Sequence, residues 1–312
     1  MKNKILIIGV LGQDGQFLTE ILNNNNYEVI GICKPNTESY RIDNFKKKYN
    51  IKIIDTDLTK YSNVIKVLNE INPNYIVNLG GISNVFNPWD NIDLIYRQNC
   101  LLPINIIKYI ANKNNEIFFF QASSSLMFGG LNNVMINEKT NFNPIYPYGI
   151  NKLYVHNFIN EYRKKYKLKL SSGIFFNHES YLRNKNFLSK KVAIFVSEIL
   201  KGFDKKLYLG DLSSYKDISH AKDFMMGVKL ILENELNEDF VFSSKSQIKT
   251  YDFVNKFFTL HNLNMNDYVI FDSNGRNENL NIFGDNEKLK SIGWTPSYTI
   301  DDLIIEMVKY EL

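Results

Sequence analysis

The stretch Lys4-Ile-Leu-Ile-Ile-Gly-Val-Leu-Gly-Gln-Asp-Gly15 decides the fold. A short apolar run, Ile5–Ile8, stops at Gly9, and Gly12 and Gly15 follow before an amphipathic stretch, Gln16–Asn23. A brief β-branched run suits a buried strand, and the stretch behind it has helical periodicity. Glycine in the turn lets backbone approach a pyrophosphate, whose charge the next helix's N-terminus favours. The pattern predicts a dinucleotide-binding strand–turn–helix unit with Gly9, Gly12, Gln13, Asp14 and Gly15 at the cofactor. Taken alone, three glycines also fit a tight turn with no ligand.

Outward from this unit the alternation repeats. Glu28–Ile32, Ile51–Ile54, Tyr75–Leu79, Ile117–Phe120 and Ser172–Phe176 read as further strands. Tyr61–Asn69, Leu101–Asn112 and Pro147–Tyr166 read as helices between them. Such alternation implies βαβ crossovers, hence an α/β chain with a doubly wound parallel (Rossmann) sheet. After Asn177 the texture changes: Phe187–Lys201 and His220–Glu233 read as helices, Lys206–Gly210 as a short strand, and Asn262–Asn281 as polar and irregular. The expected division is a dinucleotide-binding domain over residues 1–176 and a smaller mixed C-terminal substrate region over 177–312, with residues 216–233 free to pack back on the first.

Length and composition set the outer bounds. The 312 residues have room for two domains or one large α/β unit, and 44% hydrophobic with 22% charged residues describes an ordinary globular chain. Lys+Arg 37 against Asp+Glu 33 leaves +4, too weak for a nucleic-acid binder but compatible with a basic pocket for one anionic ligand. Gln13 and Asp14 interrupt the N-terminal apolar run, and nowhere do about 18 apolar residues run together, so neither signal peptide nor membrane span is expected. Cys33 and Cys100 match no metal-ligand spacing and no disulfide framework. A cytoplasmic protein without a metal is the expectation.

Two further patterns bear on chemistry. Asp57, after the third strand, suits either the adenine of a dinucleotide or a helix N-cap. The second strand ends Gly31-Ile-Cys-Lys34-Pro35, without the ribose-binding acid of an NAD site. Lys34 can meet a 2′-phosphate, yet one lysine before proline is a poor clamp, so NAD(H) is favoured over NADP(H). Tyr148-Gly-Ile-Asn-Lys152 puts a phenol and an ammonium on one helix face. The cation is expected to pull the phenol down from its usual value of about 10. Tyr148 can then take a proton from a substrate hydroxyl while hydride leaves the same carbon. Ser124, in the cluster after the Ile117–Phe120 run, is placed to hold that hydroxyl.

With these residues in hand the chain resembles the extended short-chain dehydrogenase/reductase superfamily, and within it the GDP-mannose 4,6-dehydratase family. The likeness runs almost end to end: Gly9-x-x-Gly-Gln-Asp-Gly15, Asn78-Leu-Gly-Gly-Ile-Ser83, Tyr148-x-x-x-Lys152, Phe176-Asn-His-Glu-Ser180, Leu207-Tyr-Leu-Gly210, His220-Ala-Lys-Asp223 and Gly293-Trp294. Asn177-His-Glu-Ser180 is the most specific and points to the GDP-sugar branch. The resemblance implies a nicotinamide dinucleotide touched also by Leu58, Leu79, Gly80 and Asn99. It further implies a GDP-sugar held by Ser83, Ser124, Asn177, Lys191, Lys216, Arg276 and Glu278, and a homodimer or larger assembly. The family has arginine where Lys216 stands, and the spacing after Arg276 is shorter here.

One departure outweighs the matches. Aligned on Phe128-Gly129, the family's catalytic Thr-x-Glu reads Ser124-Ser125-Leu126. A dehydratase needs that carboxylate to remove the C5 proton after C4 is oxidised, and leucine accepts no proton. The residues for C4 oxidation remain. The leading expectation is oxidation of C4 in a GDP-linked manno-configured sugar, GDP-mannoheptose or GDP-mannose, without 6-dehydration. Hydride then passes to a second acceptor such as 2-oxoglutarate, similar to the GDP-mannoheptose 4-dehydrogenases of capsule pathways. The alternatives are a 4,6-dehydratase in which another acid such as Glu179 substitutes, a 4-epimerase, a 4-keto-sugar reductase, or a non-catalytic dinucleotide sensor.

Overall fold

The computed structural model describes residues 2–23, 27–83, 89, 91–271 and 281–312. Seven strands form one sheet in the order Asp239–Phe242, Leu170–Phe175, Phe118–Ser124, Tyr75–Asn78, Asn3–Ile8, Tyr27–Cys33, Lys52–Asp55. Every neighbouring pair is parallel. The chain starts in the middle, winds outward through Tyr27–Cys33 and Lys52–Asp55, then returns to the other side at Tyr75–Asn78. That reversal opens a crevice at the C-terminal ends of Asn3–Ile8 and Tyr75–Asn78, where ligands bind in doubly wound sheets.

A parallel sheet must be covered on both faces, so its central strands carry continuous apolar runs. Ile5, Leu6, Ile7, Phe118, Phe119 and Phe120 are all fully buried. Phe17 and Leu18 of helix Gln13–Asn23 and Phe224, Met225 and Val228 of helix Ala221–Glu233 close one face. Helices Tyr61–Ile71, Leu102–Lys113 and Pro147–Tyr166 close the other through Val64, Leu68, Ile106, Ile110, Val155 and Ile159. A separate core joins helices Leu188–Leu200, Thr250–Thr259 and Ile300–Glu311. Among the described residues no helix is long and apolar enough to cross a membrane.

Three expectations need correction. The Ile117–Phe120 strand runs on to Ser124, because Gln121 and Ser124 keep register with Leu170–Phe175 and buried Gln121 accepts a hydrogen bond from Asn78 at 2.8 Å. Asp239–Phe242, not anticipated, adds an edge strand from beyond residue 177, so strand pairing crosses the expected boundary. The stretch 262–281 is not wholly irregular: Val269–Phe271 pairs with Leu207–Leu209, while 272–280 lie outside the described residues.

Candidate active site

The glycine turn is shaped by close approach. Gly9 sits at φ +80, and a Cβ there would lie 2.8 Å from Gly80 N, so the turns after the two central strands nearly touch. The Gly12 N–H donates to Gly9 O at 2.9 Å and closes the loop. Helix Gln13–Asn23 then starts at the crevice, its first-turn N–H groups without intrahelical partners. This backbone cradle, which side chains would fill, fits the diphosphate of a dinucleotide.

Gln13 and Asp14, both expected at the cofactor, are tied to the Asn177–Ser180 segment. Gln13 Nε2 donates to His178 O at 3.1 Å, and Ser180 Oγ donates to Gln13 Oε1 at 2.8 Å. Asp14 Oδ2 lies 3.0 Å from His178 Nε2, while His178 Nδ1 donates to Phe176 O at 2.7 Å. Both imidazole nitrogens therefore face acceptors, the arrangement of a protonated ring. Burial opposes both charges, but mutual attraction and the hydrogen bond win: Asp14 is held below its usual value and His178 above.

Other expected cofactor residues are distributed unevenly. Leu79 and Gly80 line the cavity described below, whereas Leu58 is buried. Asp57 Oδ1 accepts from Thr59 N at 3.0 Å and Thr59 Oγ1 at 2.7 Å, closing a turn, and it is not the N-cap of the next helix, Tyr61–Ile71, which starts after Lys60. Lys34 is exposed at the end of its strand. Asn99 sits on a π-helical turn, Arg97–Leu101, and its carboxamide clamps the Ile82 backbone, accepting from N at 2.8 Å and donating to O at 3.1 Å. It thereby fixes the turn that carries Gly80.

At the crevice lies a cavity of about 260 Å³ whose lining includes Ser124, Leu126, Tyr148 and Lys152 together with Ser83, Asn177, Lys216, Phe187 and Arg183. Ser124 ends its strand and accepts a hydrogen bond from Leu126 N at 3.2 Å, capping the turn Ser125–Phe128. Helix Pro147–Tyr166 packs directly on that turn, because Gly149 leaves room that a Cβ, 2.3 Å from Leu126 O, would remove. Tyr148 is thus delivered beside Ser124.

Lys152 is buried, and its ammonium donates to Ala122 O at 2.8 Å while standing 5.6 Å from the Tyr148 ring centre. The phenol is not brought below its usual value as expected, because burial outweighs the cation beside it. Burial pushes Tyr148 up to about 12, against the downward pull of its hydrogen bond to Ser124 and of the Arg183 charge. Burial also brings Lys152 down to about 8.

Of the remaining expected substrate residues, Asn177 donates to Asp217 O at 3.3 Å, on a short parallel pairing with Ile218–His220. Lys216 lies on the two-residue strand Tyr215–Lys216 at the cavity edge. Lys191 is exposed on helix Leu188–Leu200 and does not line the cavity. Arg276 and Glu278 lie outside the described residues. Cys33 and Cys100 are buried free thiols, and among the described residues no cluster of His, Cys, Asp and Glu could hold a metal ion.

Comparison with known proteins decides the family. The family model for GDP-mannose 4,6 dehydratase matches residues 6–307. The human GDP-mannose 4,6 dehydratase is 30% identical over 341 residues, covering 98% of this chain and 91% of that protein. The chain belongs to the GDP-mannose 4,6-dehydratase family. The Vibrio cholerae GDP-mannose 4,6-dehydratase is 28% identical, covering 100% of this chain and 94% of the relative. Two solved structures share the fold. RMD from Pseudomonas aeruginosa, complexed with NADPH, has TM-score 0.84 at 16% identity, covering 99% of both chains. The dTDP-glucose 4,6-dehydratase of Bacillus anthracis, in complex with NAD, has TM-score 0.85 at 20% identity, covering 99% of this chain and 96% of that one.

Within this family, what stands at 126 bears on the reaction. Leu126 lines the cavity beside Ser124 and Tyr148. Glu179, the candidate substitute acid, does not line it: it accepts from Ser189 Oγ at 2.6 Å and pairs with Arg183 Nε at 3.1 Å. Among the described lining residues the only carboxylate is Asp14, engaged by His178. Arg183 was missed in the sequence because its neighbours Asn184 and Lys185 suggest a solvated loop. No local signal marks it, since residues 180–187 form turns in which a spacing of four defines no shared face.

Proposed function

We propose that this chain oxidises C4 of a GDP-linked manno-configured sugar, GDP-mannoheptose or GDP-mannose, and releases the 4-keto product without 6-dehydration. The observation that carries the reading is Leu126 at the position of the family's base, with Glu179 already engaged by Ser189 and Arg183. Asn177 and Lys216, on neighbouring segments of the cavity wall, suit the diphosphate of the nucleotide, with Lys191, Arg276 and Glu278 assigned there by resemblance. Ser83 and Ser124 face the sugar.

The chain's own groups divide the work. Ser124 holds the C4 hydroxyl, and Tyr148 takes its proton as the carbon loses hydride. Lys152, with one N–H on Ala122 O, keeps further donors for a ribose. The glycine cradle would hold a nicotinamide dinucleotide, NAD(H) in preference to NADP(H), which would supply the hydride acceptor; a second carbonyl compound such as 2-oxoglutarate, reduced to its hydroxy acid by that hydride and a proton, would restore the oxidised form. We further propose a cytoplasmic homodimer or larger assembly, supported by the exposed Ile150 and Tyr154 on helix Pro147–Tyr166.

The names of the curated relatives favour a second reading, a 4,6-dehydratase. Absorbance in the reduced-nicotinamide band of purified protein, before and after 2-oxoglutarate without sugar, separates the two. A band that vanishes on adding the oxo acid supports the dehydrogenase. Oxidised cofactor with multiple turnovers and no acceptor overturns it.

A further inference from the structure

Two buried amides, Asn78 and Gln121, join the turn at Gly80 to Lys152, and the reaction scheme uses neither. Both side chains are 1% exposed. They sit opposite each other on neighbouring strands: Tyr75–Asn78 stops at this pair, while Phe118–Ser124 runs on. Their hydrogen bonds form a chain. Gly80 N donates to Asn78 Oδ1 at 3.2 Å, Asn78 Nδ2 to Gln121 Oε1 at 2.8 Å, and Gln121 Nε2 to Ala122 O at 2.7 Å. Ala122 O also accepts from the Lys152 ammonium, at 2.8 Å. A backbone N–H only donates and a carbonyl only accepts, so neither amide can be flipped without opposing like groups. The direction of the chain is fixed from end to end.

We propose that Gln121, held by Asn78, is a positioning residue for Lys152: it occupies one side of the Ala122 carbonyl and so sets where the ammonium stands. Among the described residues Ala122 O is the one hydrogen-bond acceptor of that ammonium. A carbonyl oxygen has two lone pairs, and here two donors fill them. The ammonium is thereby held beside the turn after Tyr75–Asn78, where a Cβ on Gly81 would lie 4.0 Å from Nζ. That same turn nearly touches Gly9 of the dinucleotide cradle. The chain begins and ends at one turn, so cation and cradle share a single register, and a fully satisfied buried network of this kind is rigid. Without Gln121 the ammonium is free to move to the vacated lone pair, and its remaining N–H groups turn with it. The inference rests on the reading that Lys152 meets the dinucleotide, and not on which sugar is oxidised.

The test follows release of the dinucleotide from the full chain, without sugar. Protein loaded with NADH is chased with excess NAD, and the fluorescence of the bound reduced nicotinamide reports the rate. K152M should speed release, since the cation is lost. Q121M should speed it about tenfold, the scale of weakening one hydrogen bond from a charged donor. The decisive comparison is the double variant. In the K152M background Q121M should add less than about twofold, because a residue acting through Lys152 has nothing left to position. GDP affinity by calorimetry, which a general loosening of the strands would lower, should stay unchanged in Q121M. Q121M leaves Asn78 Nδ2 buried without its acceptor, so N78L/Q121M, which removes both amides, takes its place if Q121M fails to fold, with the same rates expected. Equal acceleration by Q121M with and without Lys152, unchanged release in Q121M, or a parallel loss of GDP affinity would overturn the proposal alone. Unchanged release in K152M would overturn the Lys152 reading and the proposal with it.

Discussion

Replacing Leu126 by glutamate should turn the chain toward dehydration. The structure sets the price of that change. Leu126 is only partly buried, and its backbone, not its side chain, holds the local turn: N donates to Ser124 Oγ and O accepts from Gly129 N at 3.2 Å each. The substitution forfeits part of the roughly 1.5–3 kcal/mol of a fully buried leucine. Its carboxylate faces a cavity open to water and avoids the full penalty of a buried charge. A loss of about 1–2 kcal/mol follows, tolerable for a protein of this size. Against it stands a positioned general base, worth about 10²–10⁴-fold in rate. L126E incubated with GDP-mannose or GDP-mannoheptose should therefore yield a product one water lighter than substrate by mass spectrometry, absent from wild type. If L126E folds, still oxidises C4 and forms no dehydrated sugar, then the missing carboxylate is not what stops the reaction at the ketone.

Other outcomes follow from the same geometry. Tyr148→Phe should lower turnover by about 10²–10⁴-fold yet leave GDP-sugar affinity, measured by calorimetry, unchanged, since only the proton acceptor is lost. Lys152→Met should abolish activity and raise Tm, because a buried ammonium with one protein acceptor is replaced by an apolar chain of similar length; an unchanged or lower Tm would contradict this. The Asp14–His178 pair predicts a pH window. The raised His178 contributes stability fully below about 6.5 and loses it as pH climbs through its folded value. The lowered Asp14 contributes above about 3.9 and loses it as pH falls through its folded value. The Tm deficit of Asp14→Asn should thus be greatest between about pH 4 and 6.5 and shrink on the alkaline side.

The fold was legible where one physical demand dominated. Strands buried on both faces require unbroken apolar runs, and Ile5–Ile8 or Tyr75–Val77 could serve as little else. Helix Ser39–Tyr49 escaped notice because it buries only Phe45 and Tyr49 behind a run of lysines. Asp239–Phe242 is four residues between polar flanks, and its place at the sheet edge follows from pairing with Leu170–Phe175 rather than from any local signal. In the site, spacing brought Tyr148, Lys152 and Ser124 together but said nothing about direction. The Lys152 ammonium turns to a carbonyl, and the phenol is raised by a burial that no spacing reveals. Gln13 and Asp14 were placed in the right loop, while their grip on His178 and Ser180 joins residues more than 160 positions apart.

The central claim is that oxidation stops at C4. Purified protein, incubated with GDP-mannoheptose or GDP-mannose plus 2-oxoglutarate, tests it through the mass of the sugar nucleotide. The account predicts a product two hydrogens lighter than substrate, accompanied by reduction of the oxo acid. A product lighter by one water would contradict it and restore the dehydratase.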